Sequence, residues 1–494
     1  MNHAHAPRLA ARRRLPVLAA AFGLTVTLCL AACAVGPDYR RPEMDIPLSF
    51  KEGVQWQRAQ TAPAEALSDT WWTRFGDEQL SGYIAQALRQ NQSIVAAEAA
   101  YRVSQATVAG ARANLFPVVT AGASATRSGT GSAANASGSG GGVANNVALS
   151  VAVSWEPDLW GQVRRQIESS QAGAQASAAQ LAGARLSVAA SLASDYFALR
   201  QFDIDIALLR EQQAISARLL GMTQAQFHQG TASNDSILVA QDTLSTIIAN
   251  RQTAQTSREQ FEHAIAVLVG VPPSGFSIAP RGDYAYALPA VPLSQPSELL
   301  LRRLDIAAAE RTAAAANAKI GVAEAAFFPS LILNAQGGFQ HSSFSQLFSL
   351  PSLVWTLGPA LAATLFDAGA REAAVQGARA TYEEDAALYR NTVLSAFQSV
   401  EDSLSASNHL QESAQAYGDV YHRNQQLYAS AQSQQGAGTL SEQSLLTQRL
   451  TLLLAEQNLR DTQSQLTQSS ITLIKNLGGG WQDAAQPRAV PTVR

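Results

Sequence analysis

The chain has 494 residues but only two cysteines, Cys29 and Cys33, too few for a disulfide framework or a cysteine-rich zinc site. Charge is sparse as well. Asp, Glu, Lys and Arg make up 15% of the chain and the formal net charge is −3, so there is no basic surface for nucleic acid and no acidic tail. Proline is absent from Gly161 to Gln229. Beyond Cys33 no apolar run approaches the roughly 20 residues that a membrane helix requires. A mature chain that spans a membrane must therefore do so with strands. The histidines past the leader (His228, His263, His341, His409 and His422) show no metal-ligand spacing. Glu383-Glu384-Asp385 reads as a solvated helix face, and Gly140-Gly141-Gly142 lies in a flexible stretch rather than between a strand and a helix, which excludes a phosphate loop. No catalytic arrangement, metal or dissociable cofactor is expected.

What the chain does have begins with a leader. Arg8, Arg12, Arg13 and Arg14 precede an apolar run from Leu15 to Ala32, the pattern of a secretory signal over 1–32. Leu30-Ala31-Ala32-Cys33 resembles the lipobox of bacterial lipoproteins. That resemblance implies cleavage before Cys33, an N-acyl diglyceride on it, and, with Ala34 rather than aspartate following, delivery to the outer membrane. The alternatives are a plain signal with an incidental cysteine, or twin-arginine export through Arg12-Arg13.

The organising stretch is Gly161 to Gln229. Leu192, Leu199, Ile206, Leu220 and Phe227 fall in one seven-residue register with Gln213 in the remaining slot, an apolar seam along one helix of about 70 residues, on the order of 100 Å long. The stretch breaks at Gly230-Thr231. A return helix follows from about Ser236 to Val269, with Ile237, Leu244 and Ile265 in register. A second long helix, Gly369 to Gln435, carries Val393, Val400, Ala414, Tyr421 and Tyr428, breaks at Gly436-Ala437-Gly438-Thr439, and returns with Leu445, Leu452, Leu459, Leu466 and Leu473 at the same spacing.

Upstream of each long helix lie two alternating runs. Val119, Ala121, Ala123 and Ala125 share one face, then Val147, Leu149, Val151, Val153 and Trp155; later Leu331, Leu333, Ala335 and Phe339, then Leu353, Trp355, Leu357 and Leu361. The spacing predicts strands over about 117–130, 147–157, 330–340 and 352–366, with a flexible loop at Ser128–Asn146 and a single helix from Trp71 to about Asn114. Corresponding features recur about 208 to 212 residues apart, so the chain reads as a duplicated helix–strand–strand–helix–helix unit. Its boundaries are 33–73 for an extended anchor segment, 74–270 and 297–478 for the two repeats, 271–296 for a connector, and 479–494 for a tail. Aromatics at the strand ends (Phe116, Trp155, Trp160, Phe327, Phe328 and Phe366) suit an interfacial girdle. Four strands cannot close a barrel, and open edges are forbidden in lipid, so further copies must complete it. Three copies give twelve strands, which leave a pore; two give eight, which fill with side chains.

This layout resembles the outer-membrane efflux proteins of TolC type, in the lipoprotein branch serving resistance–nodulation–division pumps. The resemblance rests on Cys33-Ala34-Val35-Gly36-Pro37-Asp38-Tyr39, Trp71-Trp72, Phe116-Pro117, Trp155-Glu156-Pro157-Asp158-Leu159-Trp160-Gly161, Phe328-Pro329, Phe366-Asp367-Ala368-Gly369 and the two Gly-Thr breaks. It implies a mixed fold: a homotrimeric, twelve-stranded membrane β-barrel on a long α-helical periplasmic tunnel. It implies a passive conduit rather than an enzyme, fed by an inner-membrane transporter through a periplasmic adaptor. It puts forward Gly230, Thr231, Ala232, Ser233, Gly438, Thr439, Leu440 and Ser441 as adaptor contacts. Members of the family place gate aspartates where this chain has Ser444 and Thr447, with Ser236 and Val239 in the first repeat. Asp235 and Glu442 stand nearby as substitutes, although Asn234-Asp235 and a capping box at Thr439-Leu440-Ser441-Glu442 account for both as helix caps. A type I secretion conduit, a structural envelope lipoprotein and a soluble coiled-coil protein with two exposed hairpins are the alternatives. The scarcity of methionine, three residues in all, argues against copper as cargo.

Overall fold

The computed structural model describes residues 34–53, 70–129, 142–288 and 302–479. The leader, Cys33, most of the glycine-rich stretch, part of the connector and the tail beyond residue 479 lie outside the described residues. The described chain folds into two compact units.

One unit (Met1–Pro42, Arg102–Ala176 and Glu310–Leu388) holds all four strands. They are β1 (Val118–Gly129), β2 (Val143–Trp155), β3 (Ser330–His341) and β4 (Leu353–Ala362), paired antiparallel in the order β1-β2-β3-β4. Directly opposed residues of an antiparallel pair project to the same side. Val119 opposes Val153, Ala121 opposes Val151 and Ala123 opposes Leu149. Leu149 in turn opposes Phe339, and Trp155 opposes Leu333. Ala335 opposes Leu357, and Gly337 opposes Trp355. The apolar sets of all four strands thus land on one face. The other face is small and polar, with Thr120 opposite Ala152, Ser150 opposite Gly338 and Gln336 opposite Thr356. Gly338 is obligatory there, because a Cβ would run into the carbonyl of Leu149.

β2 starts before its alternating apolar run does. Ala144, Asn145 and Asn146 oppose Ser128, Arg127 and Thr126, so the backbone ladder carries the strand into what composition marks as loop. β4 ends at Ala362, short of the expected 366.

The other unit (Glu43–Tyr101, Ser177–Ala309 and Tyr389–Arg494) is helical. The helix expected from Trp71 to Asn114 is three elements: a 3-10 turn Trp71–Phe75, α1 (Glu78–Gln90) and α2 (Gln92–Ala113). Asn91 divides α1 from α2. Its ψ of 125° leaves the helical region, and its side chain accepts from Ser93 N and Ile94 N while donating to Leu268 O. The remaining described helices are α3 (Gln162–His228), α4 (Asn234–Leu268), α5 (Leu304–Ala325), α6 (Ala370–Gly436) and α7 (Glu442–Asn476); residues 102–113 of α2, 162–176 of α3, 310–325 of α5 and 370–388 of α6 belong to the first unit. α3 and α6 each have 67 residues, and α4 and α7 each have 35. None of the described helices is long and apolar enough to cross a membrane.

The core of this unit gathers Trp71, Phe75, Leu192, Tyr196, Phe197 and Leu199 with Val400, Leu404, Leu453 and Leu473. The heptad seam of α3 holds only in part: Leu192 and Leu199 are fully buried and Ile206 nearly so, but Phe227 is 41% exposed and Ile215 takes the buried position further along. A helix of 3.6 residues per turn drifts about 20° per heptad from a 3.5-residue seam, so a register set at Leu192 no longer faces the core five heptads on.

Candidate functional site

Both long hairpins turn by the same device. Gly230 and Gly438 each have φ of 75°, a conformation glycine adopts without strain. At the first turn Thr231 N and Thr231 Oγ1 both donate to Gln226 O, at 2.9 and 3.0 Å. At the second Thr439 N and Oγ1 donate to Gln434 O, also at 2.9 and 3.0 Å. Ser233 and Ser441 then cap α4 and α7, accepting from Ser236 N at 3.2 Å and Ser444 N at 3.1 Å. Each threonine therefore closes the helix before the turn and each serine opens the one after it.

This corrects the capping boxes expected at Thr439-Leu440-Ser441-Glu442 and Asn234-Asp235. Glu442 caps nothing. It reaches across to α3 and pairs with Arg218, Oε1 to Nε at 3.1 Å and Oε2 to Nη2 at 3.4 Å. Beside it Gln226 Nε2 donates to Gln443 Oε1 at 3.0 Å. Further along α7, Arg449 binds Glu211 of α3 at 2.6 Å and lies over the Tyr428 ring.

A groove of about 630 Å³ lies beside these ties, with Thr231, Ala232, Ser233, Asp235, Val239 and Thr447 among its lining residues. The structure thus brings the first tip together with Asp235, Ser236, Val239 and Thr447. Gly438, Thr439, Leu440 and Ser441 form the second tip, and Ser444 is spent on the Ser441 cap. Thr447 Oγ1 donates to Gln443 O at 2.9 Å, one turn back on its own helix.

Composition gave no sign of a second polar assembly, a buried collar that clamps the segment after α4. Asp203 is buried and accepts from Arg200 and Arg258, each at 2.8 Å, and from Arg281 N at 3.0 Å. Arg200 also donates to Ala279 O, and Ile278 N donates to Glu262. Tyr196 and Tyr284 donate to Asp77, at 2.8 and 3.0 Å. Burial opposes the Asp77 charge, but these hydroxyls and Leu80 N hold its carboxyl below the usual range. A third cluster is acidic. Gln201 Nε2 donates to both Asp205 (3.2 Å) and Asp461 (2.5 Å), with Tyr286 OH fixing the amide through Gln201 Oε1 at 2.8 Å. Burial, then the nearby Asp461 charge, pushes Asp205 up to about 7.

No group of three or more metal-ligating side chains occurs among the described residues. The described chain thus has a sheet with one apolar face and two helices of 67 residues that turn at glycine tips, features that suit a channel protein of the outer membrane. The match to the outer membrane efflux protein model over residues 83–271 and 295–479 identifies the chain as a member of that family. It is 30% identical over 464 residues to the probable efflux pump outer membrane protein TtgC of Pseudomonas putida, covering 94% of this chain and 96% of that one. It is 32% identical over 472 residues to the pyoverdine export outer membrane protein OpmQ of the same species, covering 93% and 97%. The solved outer-membrane channel OprN superposes with a TM-score of 0.81 at 29% identity, covering 91% of this chain and all of that one. The chain is thus an outer-membrane efflux channel component and not an enzyme.

Proposed function

We propose that three copies of this chain close a twelve-stranded barrel in the outer membrane and form a helical tunnel beneath it, through which small toxic compounds leave the cell. The observation that carries this reading is the four-stranded sheet with one apolar face. β1 and β4 stand at the two ends of the strand order, each with an edge unpaired among the described residues. Strands of 12, 13, 12 and 10 residues suit a tilted crossing. Exposed Leu357, Trp355 and Leu361 on the same face are explained by lipid contact. The paired lengths of α3 and α6, and of α4 and α7, support a duplicated unit.

The finer assignments extend this reading. Cys33 carries the acyl anchor. The Gly230–Ser233 and Gly438–Ser441 turns meet a periplasmic adaptor, which couples the channel to an inner-membrane resistance–nodulation–division transporter. Because serine and threonine stand at the gate positions 444 and 447, closure rests on the Arg218–Glu442 tie, with Asp235 lining the groove beside it. The test is liposome swelling and chemical cross-linking of the purified, lipidated protein. A cross-linked trimer that admits small sugars supports the reading; a monomer, or a trimer that admits none, overturns it.

A further inference from the structure

Residues Ala34 to Tyr39 follow the lipobox, where a flexible spacer would suffice to tether a lipid. They are instead seated. Val35 N donates to Trp160 O at 3.0 Å. Arg165, buried to 6% exposure in the first turn of α3, donates to Val35 O at 3.1 Å, to Gly36 O at 3.0 Å and to Asp38 at 2.9 Å. From α5, Asn317 Nδ2 donates to Pro37 O at 2.9 Å.

The floor of the seat is glycine. A Cβ at Gly321 would stand 2.7 Å from Val35 O and 2.8 Å from Arg165 Cγ, and one at Gly161 would stand 2.8 Å from Ala34 Cα. A Cβ on Gly36 would strike the Cα of Gly321. The seat also has a defined neighbourhood. Trp160, whose carbonyl holds Val35, stacks on Phe328 at 4.8 Å and donates its indole N–H to Pro329 O at 2.7 Å, one residue before β3 begins. Such aromatics mark the level of a bilayer interface.

We propose that Arg165, Gly161 and Gly321 form a binding site for the processed N-terminus of this chain, which registers the acyl anchor on Cys33 against the interfacial end of the strands. The ligand is the extended segment Ala34–Asp38, recognised through its carbonyls by a buried guanidinium. Only a chain cut close to residue 33 enters it without carrying a long leader past Trp160. Arg165 is a positioning residue: it holds the segment, not the lipid. The proposal rests on the lipid-anchor reading of Cys33 for its purpose, but the seat itself is tested separately.

The experiment is hydrogen exchange on the full-length, lipidated protein in detergent, followed in peptides covering residues 34–40. Wild-type protein should protect the Val35 amide at least about tenfold over the free-peptide rate. Arg165→Ala should remove that protection while peptides from β2 and β3 keep theirs. Arg165→Lys, which retains the charge but loses the fork, should restore it in part. Free-peptide exchange in wild type, or full protection in Arg165→Ala, overturns the seat; the wild-type measurement decides even where a variant fails to assemble. The mass of the N-terminal peptide from the same sample reports acylation. An unmodified Cys33 would sink the lipid-anchor reading and leave the exchange result standing.

Discussion

Arg218 of α3 and Glu442 of α7 face each other as a two-point ion pair, Nε to Oε1 at 3.1 Å and Nη2 to Oε2 at 3.4 Å, one residue past the cap that opens α7. Both side chains are exposed, so the pair adds little to stability, and its worth lies in holding two helices together. Glu442→Gln should raise single-channel conductance or change ion selectivity in planar bilayers, and Arg218→Glu should do the same. The exchange Arg218→Glu with Glu442→Arg should return conductance toward wild type. Unchanged conductance in all three removes the pair from the gate.

The Asp205–Asp461 pair makes the helical unit acid-stabilised. Burial and the neighbouring charge raise Asp205 to about 7, and burial raises Asp461 as well. A carboxyl whose folded pKa lies above its unfolded value binds protons preferentially in the folded state. Its contribution is complete below the unfolded value near 4 and is lost as pH rises through about 7. The melting midpoint should therefore fall by a few degrees between pH 5.5 and 8, and Asp205→Asn should flatten that slope. A slope unaltered by the substitution would locate the pH dependence elsewhere.

Asp203 neutralises the fully buried guanidinium of Arg200 and also pairs with Arg258, so removing it strands the Arg200 cation, while Arg258 keeps Glu262 at 3.2 Å. Asp203→Ala should cost about 3–5 kcal/mol, read as a lower urea midpoint. The same loss should speed proteolysis of the 276–284 segment that the collar clamps. Equal cutting rates would mean that the collar does not hold the segment.

Two leucine-register positions on α3 should behave unlike each other. Leu199 is fully buried and Leu199→Ala should cost about 2–5 kcal/mol, whereas Phe227→Ala, at a site 41% exposed, should cost under about 1 kcal/mol in the isolated protein. Similar losses at both sites would show that the seam continues to the tip.

The face assignment of the sheet predicts an asymmetry between neighbours on β4. Trp355→Arg places a charge on the apolar face and should destabilise the strand by up to about 2–4 kcal/mol, the cost at the bilayer midplane, seen as loss of heat-stable protein from outer-membrane fractions. Thr356→Arg, on the polar face, should assemble and alter ion selectivity instead. Equal assembly of the two variants would remove the apolar face from lipid.

The strands, the long helices and the glycine turns were legible in the linear sequence, because alternation, helical periodicity and Gly-Thr breaks are local signals carried by each segment's own residues. The hidden parts each had a physical reason. Asn91 breaks a helix that periodicity runs straight through, because its side chain bonds the backbone ahead and Leu268 far along the chain. Thr439 and Glu442 have capping-box spacing, yet Ser441 takes the cap and Glu442 turns to Arg218, 224 residues distant in sequence. Sequence by itself determined that this chain makes four alternating strands and two very long helices, since apolar patterning fixes which faces must leave water. Only the tertiary structure decided which β strand neighbours which, where Arg165 holds the N-terminal segment, and which carboxylates meet at the Gln201 amide. Those outcomes depend on pairings between distant segments, and no local pattern records them.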